Sequence, residues 1–478
     1  MSAELFRDWR CCFIVEARTV GYIMAACSGE LLKGSAEKPA LRVCTDSRQV
    51  RPGDVFFALK GERFDGHDFL VEVTKSAAAV VIERGRAPAE SHDCAVITVD
   101  SPRQAIGRLA ETYRKDFTLP VVAIAGSNGK TSTKELVAAV LRQRWNTLWS
   151  EASFNNDIGV PLTLLRLEQR HQAAVLETGT NHPGELEPLV RMIRPDYGVI
   201  TSIGREHLEF FGDLKGVADE EGTLAELLPA GGKLLLNGED VWTVSIAART
   251  RAPVIKVGLG GPNDWSLRNL RLDNDGMTFV VAAPREEFSG EYRILLLGRH
   301  QAVNALFAIA IGAELGLSRT EIQRGLEVCQ PSKMRLQLWE LNGVRVLDDA
   351  YNANADSMVA ALQTLQELPC KGRRVAVLGD MAELGAHSDA AHEEVGRCAA
   401  ELGIGQLFAV GKMAAIMARG ARGAGLNRVL EFTDVETAAA AVKQFIRAGD
   451  VLLLKASRAA RLERMAEILR SGAGAQRN

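Results

Sequence analysis

The 478-residue sequence has no CxxC pair, no dense basic run, and no apolar stretch near the roughly 20 residues that a membrane helix needs. Each absence excludes a class of protein. Eight cysteines are scattered at positions 11, 12, 27, 44, 94, 329, 370 and 398, so neither a zinc site nor a disulfide framework is expected. A reducing cytoplasm is the simplest location for such a chain. Membrane insertion is not expected. The formal net charge of -3 offers no surface for nucleic acid. No internal repeat or low-complexity segment interrupts the sequence. The opening stretch MSAELFRDWRCCFIVEARTVGYIM is a poor signal peptide, because Arg10, Glu16 and Arg18 break its apolar patches. Its first 20 or so residues read either as a loose leader or as sequence ahead of a start at Met24.

What remains is the composition of a globular protein, 47% hydrophobic and 24% charged. The length is too great for one ordinary domain and fits about three. Short strands and turns from Leu41 to Val99 predict a small N-terminal α/β domain, residues 1–118. Fully apolar runs then alternate with helix-patterned segments: VVAIAG (121–126), AAVLETG (173–179), YGVITSIG (197–204) and KLLLN (233–237). That rhythm predicts a doubly wound, mostly parallel sheet in a central domain, residues 119–330. Short strands are expected at 265–297, and a helix after them. The alternation repeats in VRVLDDA (344–350), RRVAVLGD (373–380), QLFAVG (406–411) and VLLLKAS (451–457). A second, Rossmann-like α/β domain is therefore expected over 331–478, with a disordered tail, SGAGAQRN. Ligands of such sheets bind at the carboxyl ends of the strands, where each of these runs turns polar.

The sharpest local signal is VVAIAGSNGKTSTKELVAAVL, Val121 to Leu141. A buried strand, a glycine turn and a helix start make an anion site, since turn amides and the helix dipole converge on phosphate. Gly126 and Gly129 let the backbone approach, Lys130 would reach the outer phosphates, and the Thr131 hydroxyl would ligate Mg²⁺. The strict phosphate-loop pattern fails at its first glycine, where Ile124 stands. The GKT between strand and helix still identifies a nucleoside triphosphate binder.

AGSNGKTS resembles the corresponding loop of the Mur ligase family, ATP-dependent amide-forming enzymes of cell-wall synthesis. Further matches follow in the family's order: FNNDIGVPLTLL (154–165), LETGTNHPGELEPL (176–189), ITSIGREHLEFFG (200–212), GRHQAVNALFA (298–308), MRLQLWE (334–340), DDAYNANADSM (348–358) and LGDMAELG (378–385). TDSRQVRPGDVFFALKGERFDGHDF (45–69) resembles the family's uridine-nucleotide-binding domain. The resemblance covers roughly residues 40–460. YNANADSM and LGDMAELG are most similar to the branch that adds D-alanyl-D-alanine to a UDP-N-acetylmuramoyl-tripeptide through an acyl phosphate, in peptidoglycan precursor synthesis.

The resemblance implies a set of site residues, each with a plainer alternative. Lys130, Glu177 and His207 would be catalytic. The nucleotide would lie against Gly126, Ser127, Asn128, Gly129, Lys130, Thr131, Ser132, Asn304, Arg335 and Asp349. The uridine and peptide substrates would meet Ser47, Arg48, Asn155, Asn156, Tyr351, Asn352, Asn354 and Ser357. Mg²⁺ would be held by Thr131, Glu177, His207 and Glu221. Turn formation alone accounts for paired asparagines, and a cap or core role for Asn304. Lys455, Ser457 and Arg458 resemble the last block of the family or form a solvated helix start.

One departure stands out. Many Mur ligases carry, about fourteen residues after the metal-binding histidine, a lysine that becomes carbamylated and helps hold Mg²⁺. Here that position is Glu221, beside Glu220 and Asp219, and Lys215 lies six residues too early. The expectation is that Glu221 or Glu220 supplies the carboxylate directly, or else that the acidic run is a solvated helix face or a sign of lost activity. The alternatives to this reading are another Mur-type or a folylpolyglutamate-type ligase, and a nucleotide-binding relative without catalysis. A cytoplasmic monomer is expected.

Overall fold

The computed structural model describes residues 12–471, apart from 62 and 89–91. Of the first 20 or so residues, read above as a loose leader, 1–11 lie outside the described residues, while Cys12–Thr19 form a paired strand. Of the tail SGAGAQRN, read above as disordered, Ser471 ends the last helix and 472–478 lie outside the described residues. Three sheets organise the described residues.

The first sheet has six strands in the order Cys12–Thr19, Pro39–Cys44, Asp54–Phe57, Ala79–Glu83, Ala95–Val99, Glu30–Lys33. The four inner strands run parallel and the two outer ones antiparallel. Phe56, Val80, Ile82 and Val96 pack with Leu70 and Val73 into a core on one face. The inner strands match the apolar runs in the sequence. The outer two carry a weaker alternation and were not anticipated. Cys44 is disulfide-bonded, which corrects the expectation of thiols throughout. Sequence spacing could not show it, because strand pairing brings distant positions into disulfide reach.

The second sheet has nine strands in the order Gly290–Ile294, Met277–Ala282, Trp265–Leu272, Val254–Gly258, Lys233–Asn237, Tyr197–Ile200, Val121–Ala125, Ala173–Glu177, Thr147–Trp149. Val121–Ala125 and Ala173–Glu177 are buried at every residue, as strands covered on both faces must be. The three strands from 265 to 294 are joined antiparallel. The helix Arg299–Glu314 is buried from Gln301 through Ala313, so it is a core helix and not a surface one.

The third sheet runs Gln337–Leu341, Val344–Asp349, Val451–Lys455, Arg374–Gly379, Gln406–Val410, Val429–Phe432. All pairs are parallel except the first. Alternate residues serve opposite cores. Val375 and Val377 pack with Leu452 and Leu454, whereas Ala376 and Leu378 pack with Leu453 and Met358. This period of two on a fully buried sheet is the doubly wound arrangement expected. A Leu453→Ala change would cost roughly 2–5 kcal/mol by the usual cavity cost. The helix Ala355–Glu367 starts at a reciprocal cap, in which Asn354 and Ser357 each bond the other's backbone N–H.

By contact density the chain forms two compact units. One comprises residues 1–123, 145–180 and 185–197, and the other residues 124–144, 181–184 and 198–478. No helix among the described residues is long and apolar enough to cross a membrane.

Candidate functional site

In the second unit, the strand ending at Ala125 leads into the turn Gly126–Gly129, and the helix Lys130–Leu141 begins at once. Both glycines have positive φ, 110° and 87°. A Cβ on Gly126 would lie 2.5 Å from Thr201 Oγ1, and one on Gly129 would lie 2.7 Å from Asn304 Oδ1, so neither position admits a side chain without displacement. The turn is braced from the next strand's exit. Ser127 N donates to Ser202 O at 2.8 Å, Asn128 N donates to Ser202 Oγ at 3.2 Å, and Gly204 N donates to Ser127 Oγ at 2.8 Å. Thr131 and Ser132 are buried in the first helical turn.

Lys130 folds back over its own loop. Its Nζ donates to Gly126 O, to Ser127 O at 3.3 Å and to Glu206 Oε2 at 3.3 Å. Beneath it lies a second carboxylate. Glu221 is 2% exposed and accepts a 2.6 Å hydrogen bond from Gly126 N. Burial pushes Glu221 up to about 7, against the pull of Lys130 and with the push of Glu206. Burial raises Glu206 as well, with Lys130 opposing. Two buried carboxylates thus share one ammonium. Glu220 faces elsewhere and accepts from Gly184 N at 2.7 Å. The acidic run is therefore not a solvated helix face at either glutamate.

Asn304, on the buried helix, is oriented by a 3.0 Å bond from its Nδ2 to Gln301 Oε1 and faces Gly129. His300 in the same helix is pushed down to about 4 by burial, so it is neutral near pH 7. Arg335 reaches the loop, where its Nη2 donates to Thr131 Oγ1 at 3.3 Å. Its guanidinium also lies over the Tyr351 ring, 4.2 Å from the centroid. Met334 and Leu336, on either side of Arg335, are both left-handed at φ 59° and 48°. Such non-glycine conformations cost about 1–3 kcal/mol each, so the surrounding contacts must hold the backbone that aims Arg335. Asp349 supports that aim by accepting from Leu336 N at 3.1 Å and from Lys455 Nζ at 2.5 Å. Lys455 also donates to Asn352 O. Asn354 Nδ2 donates to Asn128 Oδ1 at 3.0 Å, so the YNAN segment meets the phosphate loop directly.

His207 is another left-handed residue, φ 50°, and its Nδ1 contacts Glu383 Oε2, itself at φ 60°. The imidazole holds the Glu383 carboxyl below its ordinary value.

In the first unit, Glu177 ends its strand at 1% exposure, and Asn155 Nδ2 donates to its Oε1 at 2.8 Å. Asn156 Oδ1 accepts from Gly159 N at 2.9 Å and so shapes the start of the helix Gly159–Leu164, the plainer role allowed for it. Ser47 opens a short 3-10 turn. Arg48 is largely exposed, with its guanidinium on Asp46 at 2.7 Å.

Of the expected metal ligands, Thr131 contacts Arg335, Glu177 contacts Asn155, His207 contacts Glu383 and Glu221 contacts Gly126. Among the described residues, no group of three or more His, Cys, Asp or Glu is arranged to hold a metal ion. Sequence reading did not single out Glu206, Glu383 or Arg205, although all three lie in stretches it quoted.

Three family models match the chain: "Mur ligase family, catalytic domain" over residues 42–114, "Mur ligase middle domain" over 124–312, and "Mur ligase, glutamate ligase domain" over 334–458. The UDP-N-acetylmuramoyl-tripeptide–D-alanyl-D-alanine ligase of Bacillus subtilis (strain 168) is 34% identical, covering 95% of this chain and 98% of its own. That of Escherichia coli (strain K12) is 38% identical, over 89% and 93% respectively. A crystal structure of MurF from Acinetobacter baumannii superposes with a TM-score of 0.88 at 31% identity, covering 96% of this chain and 99% of that one. The MurF ligase of Thermotoga maritima in complex with ADP gives 0.80 at 25% identity, over 91% and 98%.

Proposed function

Because the chain belongs to the Mur ligase family, we propose that it joins D-alanyl-D-alanine to UDP-N-acetylmuramoyl-tripeptide at the expense of ATP, in peptidoglycan precursor synthesis. The observation that carries the reading is Arg335 at Thr131: a guanidinium from the C-terminal ligase segment meets the first helical turn of the phosphate loop. ATP phosphates on that loop would have positive charge on two sides.

The chemistry needs that charge. The tripeptide carboxylate attacks the γ-phosphorus and ADP leaves, giving an acyl phosphate. The dipeptide ammonium loses one proton to solvent, and the amine attacks the acyl carbon. The nitrogen loses a second proton to solvent as the tetrahedral adduct collapses and inorganic phosphate leaves. Two anions meet in the first step, so cations at the transferring group lower its barrier. Lys130 supplies one by exchanging Gly126 O, Ser127 O and Glu206 for phosphate oxygens. Gly126 and Gly129 keep the backbone open to the anion. We assign the base to Asn304, which faces Gly129, and the ribose to Asp349. Tyr351, Asn352, Asn354 and Ser357 line the dipeptide side. Ser47 and Arg48 hold the uridine diphosphate, with Arg48 released from Asp46. Asn155 and Asn156 face the peptide.

Mg²⁺ suits the oxygen donors by the loop, although among the described residues no three acidic, His or Cys side chains form a ready cluster. Glu206 and Glu221 bring two buried carboxylates to one lysine, an excess of negative charge that a hard divalent ion offsets. Thr131, Glu177, His207 and Glu221 are its proposed ligands. When bound, Mg²⁺ neutralises phosphate charge. Glu221 here takes the place of the carbamylated lysine of many relatives. The proposal includes a cytoplasmic, monomeric enzyme; Cys27, Cys94, Cys329, Cys370 and Cys398 are free thiols, whereas Cys44 is disulfide-bonded.

The test is the product. Purified protein with ATP, Mg²⁺, UDP-N-acetylmuramoyl-tripeptide and D-alanyl-D-alanine should yield a species heavier by the dipeptide less water, and Lys130→Ala should yield none. A folded protein that binds ATP but makes no such species contradicts the reading.

A further inference from the structure

Arg205 lies between Gly204, which braces the phosphate loop, and Glu206, which holds Lys130. It is the most heavily engaged side chain in that stretch, and none of its partners is on the loop. Its Nε donates to Asp356 Oδ1 at 2.8 Å, and Nη2 forms an ion pair with the same oxygen at 2.6 Å. Its backbone N–H donates to Asp356 Oδ2 at 2.7 Å. Nη1 and Nη2 donate to the two oxygens of Glu394 at 2.6 and 3.1 Å. Asp356 stands in the first turn of the helix Ala355–Glu367, two residues after Asn354, which bonds Asn128 of the loop. Glu394 belongs to a different helix, Ser388–Glu401. A cavity of about 100 Å³ lies against the guanidinium, walled by Leu208, Ala355, Leu384 and Ala391.

From this geometry we infer that Arg205 is a positioning residue: a clasp that holds the helices of residues 355–367 and 388–401 against the segment bracing the phosphate loop, and thereby keeps Lys130, His207 and Arg335 in register for phosphoryl transfer. The inference rests on the reading given under Proposed function. The fork geometry matters, because a planar guanidinium bonds Glu394 through two N–H groups and still reaches Asp356 through Nε. Without it, Asp356 and Glu394 face each other as like charges beside a cavity open to water. The clasp touches no substrate, so its loss falls on turnover and not on nucleotide affinity, which the loop amides and Lys130 provide.

The experiment compares wild type with Arg205→Gln, Arg205→Lys, Glu394→Gln and the double variant Arg205→Gln/Glu394→Gln. It measures kcat, ADP affinity by calorimetry, and amide hydrogen exchange of residues 204–212 and 355–367. Arg205→Gln should lower kcat about tenfold or more, a barrier change of about 1.4 kcal/mol, with ADP affinity within about threefold of wild type. Arg205→Lys should fall between wild type and Arg205→Gln, and the double variant should lose no more than Arg205→Gln alone. Exchange should quicken in both segments together. ADP affinity falling in step with kcat, or a double variant whose loss is the product of the two single losses, overturns the clasp. Wild type without ligase activity defeats the functional reading alone. The linked exchange of the two segments then still decides the clasp, and independent exchange sinks it.

Discussion

Glu221→Gln removes a charge from beneath the phosphate loop while keeping an oxygen to accept the 2.6 Å bond from Gly126 N. The carboxyl is pushed up from 4.5 to about 7, chiefly by burial. In the folded chain the protonated form is favoured, so its stabilising contribution is complete below about 4.5 and is lost as pH rises through about 7. Over that window the native state binds more protons than the unfolded one, and stability must fall with rising pH. The displacement corresponds to about 3 kcal/mol. At 2% exposure little of this is screened by solvent. In protein free of nucleotide and metal, wild type and Glu221→Gln should unfold at similar urea concentrations at pH 5. By pH 8 the variant should be the more stable by up to about 3 kcal/mol. Parallel stability curves from pH 5 to 8.5 would refute the burial argument. A variant that loses stability at pH 8 would show that the ionised carboxylate is net favourable at Gly126.

Two further outcomes follow from the same geometry. Gly129→Ala forces a Cβ to 2.7 Å from Asn304 Oδ1 at φ 87°, and should cost about 1–2 kcal/mol from the left-handed backbone alone. Its ADP affinity, read by calorimetry, should drop at least about tenfold; unchanged affinity would mean that the turn tolerates a side chain. Depleting dissolved CO₂ and bicarbonate should leave turnover unchanged, because Glu221 already ends in a carboxylate. A clear loss of turnover on depletion contradicts its role as the built-in ligand.

The sequence exposed what is local. The phosphate loop, the strands ending at Ala125, Glu177, Asp349 and Lys455, and the helix capped at Asn354 are each written in fewer than twenty consecutive residues. What it hid depends on register between distant segments. Glu206 meets Lys130 across 76 positions, Glu383 meets His207 across 176, and Arg205 meets Glu394 across 189. No periodicity or spacing encodes such pairings. The left-handed backbones of His207, Met334, Leu336 and Glu383 were equally invisible, since none is a glycine that would mark the turn. Glu221 is an intermediate case. Its place in the chain pointed to a carboxylate near the phosphates, but only the fold sets it on the Gly126 amide.

The most direct test of the account is phosphate release by purified protein with ATP, Mg²⁺, UDP-N-acetylmuramoyl-tripeptide and D-alanyl-D-alanine, omitting each in turn. The account predicts release only when all four are present. Release that ignores the dipeptide, or none from protein that is folded and binds ATP, would contradict it and favour a different substrate pair or a relative without catalysis.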